Sequence, residues 1–435
     1  MNVIDRLQIE RLRHILPEGF GRPFPKGAFV RQKFEGPEIP DVETVVRGQL
    51  KRPRLRIQPG MRIAVGVGSR GISSLAGIVK TALEELKARG AKPFIIPAMG
   101  SHGGATPEGQ RQVLASYGIT EESLGVPIED SMEVVELGRT KGDVPVYFSK
   151  AALQADAVLP ICRIKTHTAF HGSYESGTLK MLAIGYGKHK GAATLHLQGL
   201  HRFPELLPEM GKVIMEKASV LCALACVENA HEKPALVEVL LPEEIWDREP
   251  QLLKKSKKWM GRILFDQFDL LVVDEVGKNI SGDGMDPNVT GRFGLPSVSG
   301  GPRIQKIVAL DMTRESHGNA CGLGMADITT QTLVEKLDFF ATYTNSITST
   351  VLVMSRLPVV MPTAEDAIAL GLGTCNGVTP PQARVVRINN TLELDRIWIS
   401  DSLLQEASKR SDFEILDPAP LMSDVNVGNS WKLRS

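Results

Sequence analysis

Residues 62–110 read RIAVGVGSRGISSLAGIVKTALEELKARGAKPFIIPAMGSHGGATPEGQ. RIAVGVG is a short apolar run following the turn at Pro59 and Gly60, as expected of a strand buried on both faces. GSRGISS reads as a turn, and Leu75 to Arg89 as a helix ended by Gly90. KPFIIPA is a second strand, and it leads through MGSHGGATPEGQ into a helix that starts near Thr106, with Pro107 and Glu108 in a favoured first turn. Strand, glycine-rich turn and helix in alternation imply a mainly parallel sheet covered by helices. Ligands of such sheets sit outside the carboxyl ends of the strands, and Arg70 and His102 both lie in those turns.

Outward from this stretch the pattern continues. MEVVEL, VPVYFS and AVLPICRI read as strands, Pro204 to Lys217 as a helix, SVLCALACVEN and ALVEVLL as strands, and PEEIWDREPQLLKKSKKWMGRILF as a helix linking domains. FDLLVVDEVG and KIVALDM open a second α/β region, with a helix from about Thr329 to Ala341 and strands at STVLVMS, RVVRI and LDRIWIS. Residues 1–15 have an amphipathic spacing of Ile4, Leu7, Leu12 and Ile15, and the Pro- and Gly-punctuated segment after them reads as extended. A chain of 435 residues exceeds the size at which one core keeps growing. The expected division is therefore an N-terminal arm over 1–40, a catalytic and cofactor-binding domain over 41–266, and a C-terminal α/β domain over 267–435, with the active site in the cleft between the two domains. The arm could wrap a second subunit, giving a homo-oligomer, or its own domain.

Composition narrows the function classes. With 42% hydrophobic and 23% charged residues and a formal charge of +1, the chain gives no support to nucleic-acid binding. Nothing approaches the length of a membrane span, and the charged N-terminus lacks a signal-like apolar run, so a cytoplasmic location is expected. Five scattered cysteines fit a reducing compartment rather than a disulfide framework. Gly66, Gly68 and Gly71 satisfy a bare G-x-G-x-x-G, but KPFIIPA lacks the acidic residue that a dinucleotide site requires. GKHKGAATLH is not a P-loop, although its glycines and lysines could hold a phosphate, and neither H-E-x-x-H nor G-x-S-x-G occurs.

The chemistry-bearing stretch is Arg163–His201, which holds five of the nine histidines (His167, His171, His189, His196, His201) among Lys165, Lys180, Lys188 and Lys190. Imidazoles beside lysines suit a site that handles an anion, a metal or a proton; the bland alternative is a basic surface loop. His167 follows a strand in RIKTHTAF, Lys180 closes SGTLK, and His196 in TLH lies sixteen residues beyond Lys180. Together with GVGSRG and MGSHGGAT, these segments in this order resemble the nickel-dependent lactate racemases and their homologues. The resemblance covers about residues 42–230 well and the second domain more loosely.

The resemblance implies a racemase or epimerase of a 2-hydroxy acid that carries a nickel-pincer nucleotide (nickel pyridinium-3,5-bisthiocarboxylic acid mononucleotide). Lys180 would tether the cofactor, His196 would complete the nickel coordination, and Ser69 and Gly177 would contact the nucleotide. His102 and His167 would be the two bases, Arg70 the carboxylate clamp, and Lys278 a substrate-polarising lysine. In the family the α-hydrogen moves as hydride to the cofactor and returns to either face. Partners would be the small 2-hydroxy acid and the proteins that make the cofactor. The chain departs from the family in placing Val67 where an aspartate precedes the arginine and ESGTLK where the lysine loop has a G-G-x-K turn; His171 rivals His167, and Lys278 could equally be a capping lysine. The changed loop and second domain point away from lactate itself, toward another 2-hydroxy acid such as a larger sugar acid. Two alternatives stay open: a nucleotide- or phosphate-binding protein of the same fold without nickel, and a lyase or hydrolase that binds its metal directly through the histidines.

Overall fold

The structure is a computed structural model that describes residues 8–69 and 71–421. The chain divides into two compact units, one of Met1–Phe34 with Gly261–Ser435 and one of Glu35–Met260. The first strand, β1 (Gly27–Gln32), belongs to the former unit.

The Glu35–Met260 unit holds β2 (Arg62–Val67), β3 (Lys92–Pro97), β4 (Val134–Arg139), β5 (Pro145–Ser149), β6 (Ala157–Arg163), β7 (Ala223–Glu228) and β8 (Pro234–Leu240). Its main sheet runs β3-β2-β6-β7-β8, parallel except for the antiparallel β8. β4 and β5, read from sequence like the other strands, form a separate antiparallel hairpin. On one face of β2, Ile63, Val65 and Val67 pack into a core with Ile78, Val79, Ala82 and Leu86 of the helix Leu75–Ala88. Each of these side chains is fully removed from water, worth about 1.5–3 kcal/mol for a residue of Val or Ile size. The helix Pro107–Ser116 begins as its sequence dictates, with the Thr106 hydroxyl accepting from the Gly109 N–H at 3.1 Å and Pro107 in the first turn.

The other unit carries β9 (Gln267–Val276), β10 (Arg303–Met312), β11 (Ile328–Thr330), β12 (Val359–Met361), β13 (Val385–Ile388), β14 (Arg396–Ser400) and β15 (Phe413–Pro418). With β1 they form one sheet, β12-β11-β10-β9-β13-β14-β1-β15, parallel from β12 to β13 and antiparallel from β13 to β15. The segment read as an extended arm thus supplies a sheet strand. Ala28, Phe29, Val30 and Gln32 are buried, and the Gln32 amide ties the strand to the chain by donating to the Leu394 carbonyl at 2.6 Å and accepting from the Leu264 N–H at 2.7 Å. Of the N-terminal amphipathic segment, Ile9–Leu12 is helical, while Ile4 and Leu7 lie outside the described residues.

Two elements differ from the expectation. The helix expected over 329–341 is broken, because Thr329 and Thr330 donate to the Ala309 and Leu310 carbonyls at 2.9 and 2.6 Å and hold β11 in the sheet. Two helices follow, Gln331–Glu335 and Phe339–Ser349, the second capped by Asp338. STVLVMS is not a strand but a tight turn at Leu352–Ser355, pinned to the preceding helix by the hydroxyls of Ser346 and Ser355 at 2.8 Å. The strand of that region is β12. No described helix is long and apolar enough to cross a membrane.

Candidate active site

In the Glu35–Met260 unit, β2 has β3 on one side and β6 on the other, so the direction of winding reverses between β2 and β6. Such a switch point opens a crevice beyond the carboxyl ends of the strands. The loops after β2, β3 and β6 carry Ser69, His102 and His167 there. Ser69 Oγ is hydrogen-bonded to His102 Nδ1, and the Tyr117 hydroxyl donates to the Ser69 carbonyl at 2.7 Å. The buried Gln110 amide donates to the carbonyls of Gly100 and His102 at 3.0 and 3.2 Å and so fixes the turn that presents His102.

Lys180 ends the helical turn Thr178–Lys180 and is followed by a turn of π-helix, Met181–Gly185. That turn lies against the His102 loop: the Gly100 N–H donates to the Gly185 carbonyl at 3.4 Å, and a Cβ on Gly185 would sit 2.6 Å from the Ala98 carbonyl oxygen. Beneath it, Tyr186 is fully buried, stacks on Phe148 at 5.1 Å and donates to the Ala64 carbonyl at 3.1 Å. A Cβ on Gly66 would come within 2.3 Å of the Tyr186 hydroxyl. Thus Gly66, one glycine of the apparent dinucleotide fingerprint, makes room for a tyrosine.

Glu249 reaches the start of the Lys180 turn from the helix Pro242–Trp259. Its Oε2 accepts from the Thr178 N–H at 3.0 Å, while Oε1 is buried without a hydrogen-bond partner. Burial pushes this carboxyl up to about 7, against the hydrogen bonds from Thr178 and Leu179. A Cβ on Gly177 would meet Glu249 Oε1 at 2.3 Å, so the structure gives Gly177 a packing duty toward Glu249.

His167 sits in a loop organised by the buried Glu175, whose carboxylate accepts from the His167 N–H at 2.7 Å, the Thr166 hydroxyl at 3.0 Å, the Gly172 N–H at 3.1 Å and the Lys257 ammonium at 2.5 Å. His167 Nδ1 accepts from the Ala169 N–H at 3.0 Å. Its ring stacks on Phe170 at 4.2 Å, Phe170 lies 5.1 Å from Phe203, and Phe203 stacks on His196 at 5.2 Å. Two phenyl rings therefore connect the two histidines. Burial first, and the Lys180 ammonium second, pull the His196 pKa down to about 4. At neutral pH the His196 imidazole is uncharged, the form in which histidine binds metals.

The structure thus bonds Ser69 to His102, brings the Lys180 charge to bear on His196, and links His196 to His167 through Phe203 and Phe170. Arg70 lies outside the described residues. Lys278 belongs to the other unit, where its ammonium donates to the carbonyls of Gly282 and Cys321 at 2.5 and 2.9 Å and holds its own loop, the capping arrangement. His171 is half-buried, and His189 and His201 are exposed. Val67 is fully buried in the core. Lys188, unassigned from sequence, is fully buried, and its ammonium donates to the Pro97 carbonyl at the end of β3 at 2.8 Å. Burial draws its pKa down to about 8. Glu249 was also missed, although Ile245, Glu249, Leu252, Leu253 and Ser256 share the buried stripe of their helix and that spacing marks it. Nothing in the sequence singles out Glu175. Among the described residues, no group of three His, Cys, Asp or Glu side chains is placed to hold a metal ion. A metal ligated by His196 would need donors from a bound group.

Residues 69–240 match the model of a family described as a domain of unknown function (DUF362). No curated protein sequence matches the chain. Among solved structures, the lactate racemase apoprotein from Thermoanaerobacterium thermosaccharolyticum is similar at a TM-score of 0.50 and 11% identity, covering 89% of this chain and 96% of that one. The likeness is one of fold. It agrees with parallel-dominated α/β sheets flanked by helices.

Proposed function

We propose that the chain is an isomerase of a 2-hydroxy acid, with Lys180 as the tether and His196 as the nickel ligand of a nickel-pincer nucleotide. What supports this reading is the half-buried His196, stacked on Phe203 at 5.2 Å and near enough to Lys180 for the ammonium charge to lower its pKa. A lysine whose charge is felt at a neutral imidazole fits a group attached at one residue and ligated at the other. The phenyl rings of Phe170 and Phe203 give His167 and His196 an apolar backing, which favours a dry site. When bound, the cofactor would take up and return the hydride of the substrate's α-carbon.

The chain's own residues would do the rest. His102, aimed by Ser69 and by the Gln110-held turn, and His167, aimed by Glu175, would handle the hydroxyl proton. Arg70, three residues after the last residue of β2 in sequence, would bind the substrate carboxylate. The loop and second-domain departures favour a substrate larger than lactate.

A second reading, a nucleotide- or phosphate-binding protein of this fold without nickel, is favoured by Val67. At the place of the family's aspartate it contributes its side chain to the core rather than to a ligand. The two readings separate when the protein is made in a host that synthesises the cofactor. The isomerase reading expects an intact-mass adduct and bound nickel, exchange of the α-hydrogen across a panel of 2-hydroxy acids, and loss of adduct and exchange in Lys180→Ala. A Lys180→Ala protein with wild-type turnover would overturn it.

A further inference from the structure

The two histidines have different hydrogen-bond partners at the same ring atom. His167 Nδ1 accepts from a backbone N–H, that of Ala169, at 3.0 Å. A peptide N–H can only donate, so this bond requires a lone pair on Nδ1, and the neutral ring must carry its proton on Nε2. His102 Nδ1 instead meets the Ser69 hydroxyl. A hydroxyl donates to a bare ring nitrogen or accepts from a protonated one, so this bond survives in either state of the ring. The Ser69 backbone is fixed in turn by Tyr117.

From this contrast we infer that the pair is unequal: His102 exchanges the hydroxyl proton through Nε2 as it stands, while His167 rests with hydrogen on Nε2, donates from there to a substrate oxygen, and takes up a proton at Nε2 only once its ring proton sits on Nδ1 and the Ala169 bond has opened. Ser69 is then a positioning residue for His102. For His167 to take a proton and keep it, the ring would carry hydrogen on both nitrogens and the Ala169 bond would have to open. Losing one such bond slows the step by up to about tenfold, so the two stereochemical directions of the reaction are unequal. The inference rests on the 2-hydroxy acid reading for its substrate oxygen, but its geometry belongs to the protein alone.

The test uses the full chain without cofactor or substrate, labelled with 15N in its histidine rings, at a pH where the neutral rings are observed. Long-range 1H–15N correlations report which ring nitrogen carries hydrogen, and His102→Gln and His167→Gln assign the two signals. The expected result is His167 in the Nε2–H form in both wild type and Ser69→Ala. Ser69→Ala should shift the His102 ring nitrogens, and Ser69→Thr should restore them. His167 found with hydrogen on Nδ1, or a His102 signal indifferent to Ser69→Ala, overturns the inequality of the pair. Because no turnover is measured, that failure is separate from a failure to find cofactor or activity.

Discussion

Glu249→Gln tests the electrostatics beneath the Lys180 turn. The Glu249 carboxyl titrates near 4.5 when unperturbed and is pushed up to about 7 in the fold, mainly by burial. Between those values the folded state binds a proton that the unfolded chain does not, so stability falls as pH rises through that window and levels off above it. The difference of roughly 2.5 units corresponds to about 3 kcal/mol, an order-of-magnitude figure. Glutamine keeps the shape and an oxygen for the Thr178 N–H, now at 3.0 Å, and it removes the titration. The variant should match the wild type below about pH 4 and exceed it by up to about 3 kcal/mol near pH 8. Urea unfolding across this range, analysed as the difference between the two proteins, measures the effect. Parallel pH profiles would refute the reasoning and show that Glu249 is either hydrated or ionised without penalty.

Lys180→Met removes the second cause of the low His196 pKa and leaves the first, so NMR titration should find it raised from about 4 while still below the ordinary imidazole value. Gly66→Ala places a methyl 2.3 Å from the Tyr186 hydroxyl and should cost about 1–3 kcal/mol in urea unfolding, with no dependence on any nucleotide. Glu175→Ala strips partners from the His167 and Gly172 N–H groups and from Lys257, and should destabilise by at least about 2 kcal/mol. His196→Ala should retain the mass adduct on Lys180 while losing nickel on dialysis, measured by intact mass and metal analysis together.

The local elements around β2 were legible because each carries its own physical signature. RIAVGV and KPFIIP are apolar runs of strand length, and Thr106-Pro107 starts a helix through contacts made within three residues. The sequence left matters open, or misled, where a distant partner decides the outcome. Whether Gly27–Gln32 is an arm or a strand depends on β14 and β15, far away in the chain. Whether Thr329 and Thr330 begin a helix or end a strand depends on the carbonyls of β10. The site divides in the same way. Residue types and spacing made His102, His167, Lys180 and His196 candidates, because imidazole and ammonium groups are costly to bury unpaired, and Ser69 entered only through the family resemblance. What each side chain does was set by its neighbours: Tyr186 gives Gly66 its reason, Glu249 gives Gly177 its own, burial beside Lys180 makes His196 neutral, and one backbone N–H fixes the proton of His167. Spacing along the chain cannot report those contacts. They follow from how the strands, the π-turn and the helices pack, and a proton's position is decided by the atom a few ångströms away.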